Sequence, residues 1–126
     1  MLMSGFVRPA GTGDTYDFDG AVFTVKASAE DTEGRVSVME QAAPVGLVVA
    51  PHVHEGEDEM FHVLAGEVGG RCGDDEFTAA AGDFIFLPRD VEHTLWVRGD
   101  EPVRMLTICG PAKFDRLVTE QGRRRG

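Results

Sequence analysis

Two histidines one residue apart, His52-Val53-His54, are followed by Glu59, and a third, His93, lies far downstream. On extended chain, residues at i and i+2 point to the same face about 7 Å apart, a separation that two neighbouring ligands of one ion can close. Glu55-Gly56-Glu57-Asp58 reads as a solvated turn, and Glu59 opens the returning strand. If His54 and Glu59 flank a hairpin, the carboxylate faces the same side as the imidazoles. His93 opens another strand after the turn Pro88-Arg89-Asp90. Three neutral imidazoles and one carboxylate suit one divalent transition metal ion: Fe, Ni, Zn, Cu or Mn. Such a cluster is costly to bury without a cation. His62 has the opposite parity to Glu59 and is expected on an outer face rather than as a fifth ligand.

The elements that must hold these side chains are strands. Short apolar runs recur at close spacing between Gly, Pro and Asp turn residues, an all-β texture. Strands are expected at Ala21–Lys26, Arg35–Gln41, Glu59–Leu64, Glu67–Cys72, Glu76–Ala79, Asp83–Leu87, His93–Arg98 and Val103–Cys109, with an edge strand at Thr15–Phe18. One short C-terminal helix is expected over about 111–121. Pro111 suits its first position, Phe114, Leu117 and Val118 share a face, and Gly122 closes it. Parity from Glu59 places Phe61 and Val63 inward, and parity from His93 does the same for Leu95 and Val97. These four would line an apolar pocket around the ion. Phe84 and Phe86 read as core, and Trp96 points away from His93, towards an interface between sheets or subunits.

The run from Gly46 through His52, His54 and Glu59 to Gly66 resembles the first motif of the cupins: G, five residues, H-x-H, four residues, E, six residues, G. Gly82, Pro88 and His93 resemble the second motif, with Asp90 where Gly is usual and Val97 where Asn is usual. Fifteen residues separate Gly66 from Gly82, the short spacing of small single-domain microbial cupins. An Asp takes the left-handed conformation at modest cost, whereas Val97 makes the pocket greasier. The resemblance covers about Arg35 to Pro111. It implies a double-stranded β-helix, the jelly roll of which cupins are a standard example, and one cupin domain over residues 1–126. It also implies metal ligation by His52, His54, Glu59 and His93.

Four protein ligands on an octahedral ion leave two positions open, which fits two chemistries. One is quercetinase-like dioxygenation of a neutral enol- or aromatic-type small molecule. The other is cyclase or isomerase chemistry of the polyketide type, with zinc as Lewis acid. In both, Glu59 is the candidate catalytic base. A non-catalytic small-molecule-binding cupin is the third reading. No inward Arg or Lys is evident, so an apolar, uncharged substrate is expected.

Composition narrows the partners. At 126 residues the chain has room for one core, and its 42% apolar and 27% charged residues are ordinary for a globular domain. Twenty-two acidic against twelve basic residues give a net charge of −10. Phosphate backbones are bound by Lys and Arg, so this balance argues against a nucleic-acid role. The terminal run Arg123-Arg124-Arg125 reads as a frayed, solvated end. The apolar stretches are too short to cross a membrane. Met1-Leu2-Met3-Ser4-Gly5 lacks the features of a secretory signal, so a cytoplasmic protein is expected. Cys72 and Cys109 have no metal-type spacing and are expected as free thiols. Outer faces and edge strands of a small jelly roll need cover, so a homodimer is expected.

Overall fold

A computed structural model describes residues 4–126. Met1-Leu2-Met3 of the N-terminal stretch considered above lie outside the described residues. Among the described residues ten strands and one helix follow in order: β1 Thr15–Phe18, β2 Ala21–Ala27, β3 Ser37–Ala43, β4 Asp58–Ala65, β5 Glu67–Cys72, β6 Asp75–Ala80, β7 Phe84–Leu87, β8 His93–Arg98, β9 Val103–Gly110, α1 Phe114–Gln121 and β10 Arg123–Arg124. They form two antiparallel sheets. The larger has the order β10-β1-β2-β3-β9-β4-β7 and the smaller β6-β5-β8. The free side of β8 is taken by residues 47–52, through bridges Val48↔Trp96 and His52↔His93. This is the all-β architecture with a short C-terminal helix that the residue pattern predicts, and the double-stranded β-helix that the resemblance to the cupin motifs implies.

Alternation sets the core between the sheets. Ser37, Met39, Gln41 and Ala43 of β3 turn inward, as do Glu59, Phe61 and Val63 of β4 and Val103, Met105, Thr107 and Cys109 of β9. Trp96 packs across β5 onto Gly69, where any Cβ would collide with the indole. The outward ring needs a neighbour without a side chain.

Several expectations are corrected. β3 begins at Ser37, because Arg35 still belongs to the turn in which its N–H meets the Thr32 carbonyl. The helix begins at Phe114, not Pro111, because the Ala112 N–H is drawn to the Gly34 carbonyl at 2.9 Å. Phe84 and Phe86 are 61% and 52% exposed rather than core. On the four-residue edge strand β7, alternation gives the inward places to Ile85 and Leu87.

The C-terminal arginines are not a frayed end. Tyr16 and Asp17 of β1 pair with Arg124 and Arg123, while Arg124 reaches Asp14 at 3.0 Å and Arg125 reaches Asp17 at 2.7 Å. The acidic β1 edge supplies the counter-charge that composition alone leaves unplaced. The Arg125 hydrogen bond, helped by the charges of Arg125 and Arg123, holds the Asp17 carboxyl below its usual range. A lowered folded pKa gives stability that is present above the ordinary carboxylate range and lost as pH falls through the folded value. Both groups are largely exposed, so the effect is small. The melting-temperature difference between wild type and Arg125→Ala is expected at neutral pH and should fade in acid, as pH drops below the ordinary carboxylate range and through the lowered folded value. A difference that persists in acid would assign the contact to packing instead.

Candidate metal centre

Backbone pairing places the imidazoles. His52 and His93 face each other as an antiparallel pair, exchanging N–H···O bonds of 3.0 and 2.9 Å. His54 lies two residues on, where its carbonyl accepts from the Asp90 N–H at 3.0 Å. Asp90 adopts φ 66°, and its carboxylate accepts from the N–H of Gly56, itself at φ 67°. Asp90 thus accepts the left-handed backbone and adds a side-chain bond that a glycine cannot make. Arg89 grips Asp58 through two guanidinium bonds of 3.2 Å, so the turns carrying His54 and preceding His93 are locked together.

Glu59 arrives from the other sheet. The His52–His54 segment and β4 do not flank a hairpin, because one joins β8 and the other lies between β9 and β7. The carboxylate meets the rings across the barrel, with Oε1 3.3 Å from His93 Nε2 and 3.6 Å from His54 Nε2. His52 Nε2 lies 3.1 Å from both His54 Nε2 and His93 Nε2. One ligand atom from each of His52, His54, Glu59 and His93 falls within 4.8 Å of all the others.

The ring protons follow from the acceptors. His52 Nδ1 donates to the Ala50 carbonyl at 2.9 Å, and His54 Nδ1 donates to Glu57 Oε1 at 3.0 Å. In the neutral rings Nε2 is then a bare lone pair on both. Two lone pairs facing at 3.1 Å call for a cation between them. Ligands held at about 2.0–2.1 Å and at right angles stand about 3 Å apart, so the donor set and its spacing fit a transition ion. Burial, assisted by the neighbouring His93 and His54, lowers the His52 pKa against the pull of its Ala50 bond. Burial also pulls His54 down, but the Glu57 bond and the charges of Glu59 and Glu57 outweigh it and raise that pKa.

A cavity of about 470 Å³ opens onto the cluster. Its walls include Phe18, Phe23, Phe61, Leu95, Phe114 and Leu117. Phe18, Phe23 and Phe114 meet edge to face with centroids 5.6–6.2 Å apart. Of the four residues assigned to the pocket from parity, Phe61 and Leu95 line this cavity. Val63 lies fully buried in the core, and Val97 lines a smaller hollow with Val68 and Met105.

Sequence parity missed three polar groups. Gln41 lines the cavity and accepts from the Thr107 hydroxyl at 2.9 Å; counting inward from Met39 finds it. Lys113 stands at the mouth, correcting the expectation of no cation there. Glu57, expected in a solvated turn, is 3% exposed. Burial raises its pKa, but the His54 bond and the backbone N–H groups of Phe114 and Lys113 bring it below the ordinary value. Behind the cluster, Cys109 Sγ lies 3.8 Å from Glu59 Oε2, and burial with the nearby carboxylates pushes the thiol pKa up, keeping it neutral. His62 stays outside the cluster.

A double-stranded β-helix whose sheets converge three imidazoles and a carboxylate on the floor of an open cavity defines a jelly-roll protein with a metal-type donor set. The chain belongs to the Cupin domain family, which it matches over residues 38–109. It is 26% identical over 110 residues, 87% of its length, to quercetin 2,3-dioxygenase of Bacillus subtilis, and it spans 32% of that protein. Among solved structures, KdgF from Halomonas sp. aligns with a TM-score of 0.77 at 18% identity, over 90% of this chain and 99% of that one. An RmlC-like cupin from Shewanella frigidimarina aligns with 0.76 at 17%, over 92% and 99%. No helix among the described residues is long and apolar enough to cross a membrane.

Proposed function

We propose that this chain is a metal-dependent cupin enzyme that oxygenates a neutral enol- or aromatic-type small molecule in the manner of a quercetinase. The observation that carries the reading is the four-ligand cluster at the base of an aromatic-walled cavity. The similarity to a quercetin 2,3-dioxygenase supports the reaction class. His52, His54, Glu59 and His93 would hold one divalent transition ion, which supplies Lewis-acid or redox chemistry when bound. Phe61, Leu95, Phe114 and Phe18 would flank a flat ring system and exclude water from it. Gln41 would donate from its amide to a substrate oxygen, and Glu59 would accept the substrate's enol proton. A cytoplasmic homodimer belongs to the same proposal, supported by the outward Phe84 and Phe86 on the edge strand β7.

The test is elemental analysis of the purified protein joined to an oxygen electrode with flavonol-type compounds. Iron, nickel or copper with oxygen consumption is the expected outcome. Zinc with product but no oxygen consumption would transfer the site to cyclase or isomerase chemistry. Tight binding without product under any metal would make it a binding module.

A further inference from the structure

One buried carboxylate joins a ligand of the cluster to the helix that walls the cavity. Glu57 Oε1 accepts from His54 Nδ1–H at 3.0 Å, while Oε2 accepts from the backbone N–H groups of Lys113 at 2.7 Å and Phe114 at 2.8 Å. A helix start leaves its first N–H groups without intrahelical partners, and Lys113 caps α1 with no side-chain bond of its own. Glu57 is therefore the cap that the local sequence lacks, and its charge sits at the favourable end of the helix dipole. From that anchored end, Lys113, Phe114 and Leu117 line the cavity, and the Phe114 ring stands 5.3 Å from the His54 ring. The other two rings have no such tie. His52 Nδ1 bonds a carbonyl two residues away, and His93 Nδ1 is buried without a partner.

We infer that Glu57 is a positioning residue that couples ion binding at His54 to the order of α1, so that loading the site firms the wall against which the organic ligand packs. The inference rests on the metal reading of the cluster. An ion on Nε2 withdraws charge from the ring and makes Nδ1–H a stronger donor to Oε1. Carboxylates that accept from a ligating histidine are known to orient the ring and raise affinity for the ion. The carboxylate held by that bond keeps Oε2 on the two N–H groups of α1. Linkage then runs both ways, and an ordered α1 tightens the ion.

The experiment titrates metal-free protein with Ni²⁺ alone and follows amide hydrogen exchange across residues 113–118. In the wild type, saturating Ni²⁺ is expected to slow these amides by about tenfold or more. Glu57→Gln offers one oxygen where three donors need acceptors. It is expected to bind Ni²⁺ about 10–100-fold more weakly and to lose the Ni²⁺-dependent slowing, with exchange in β3 and β9 unchanged. A purely structural cap would lower protection of α1 with and without the ion alike and leave Ni²⁺ affinity alone. A Glu57→Gln protein with wild-type affinity and wild-type slowing overturns the inference. Should that variant fail to fold, the wild type still decides, because Ni²⁺ uptake without any response in α1 overturns the coupling and leaves the metal reading intact. A wild-type chain that takes no metal overturns both.

Discussion

His93→Ala is expected to lose tight uptake of a divalent transition ion while keeping its fold. The imidazole is almost wholly buried, and its Nε2 lies 3.1 Å from His52 Nε2 and 3.3 Å from Glu59 Oε1. The backbone pairing that positions His52 uses only the N–H and C=O of residue 93, so the substitution spares the bridge. Structural four-ligand zinc sites bind with about 10–16 kcal/mol, which sets the scale for a four-ligand centre that also leaves positions open. An equal share per ligand is about 2.5–4 kcal/mol, an affinity loss of about 10²–10³. Titration against a competing chelator reads that change directly. The ion should also raise the melting temperature of the wild type by mass action and leave His93→Ala unmoved at the same concentration. His62→Ala is the matching control, since that ring lies outside the cluster. Equal affinity in the two variants would remove His93 from the ligand set.

Most of the strand pattern is legible from residue type and spacing, because alternation is a short-range rule, whereas the convergence of His52, His54, Glu59 and His93 is legible only through the resemblance of the two motifs to the cupins. Alternation on extended chain puts His52 and His54 on one face, and it puts Phe61 beside Glu59 on another. What alternation cannot give is which sheet a strand joins. The turn Glu55–Asp58 reads equally well as a hairpin or as a crossing between sheets, and the tertiary pairing of residues 47–52 with β8 decides it. Glu57 departs from its expected solvated turn for the same reason. A carboxylate next to a glycine looks solvated until the helix start at Phe114, 57 residues away, folds onto it. Parity also says only that a side chain points inward, not how deep it lies. Val63 and Phe61 share a face, yet the one further from the cluster falls into core and only the nearer one meets the cavity.

Glu59→Gln is expected to separate holding the ion from turning over the substrate. The amide keeps an oxygen of the same size where Oε1 meets His54 and His93. It has no basicity, so a ligand survives while a proton acceptor is lost. Metal affinity should fall by no more than about tenfold, and turnover by about 10²–10⁴, the range attributed to a positioned general base. Surroundings favour the carboxylate as the acceptor. Oε2 lies 3.8 Å from the Cys109 thiol, and that thiol is neutral and a weak donor, so it draws little of the carboxylate's charge. The histidines are poorer acceptors, because Nδ1 of His52 and of His54 already carries a proton and each Nε2 faces the cluster. Glu59→Ala marks the contrast by losing ligand and base together, with both affinity and rate falling. The decisive measurement is the rate constant at saturating substrate and metal, where weakened ion binding no longer contributes. A Glu59→Gln enzyme that turns over at the wild-type rate under those conditions assigns the proton to another acceptor, with Asp19, Glu55 and Glu57 the other carboxylates in the cavity lining.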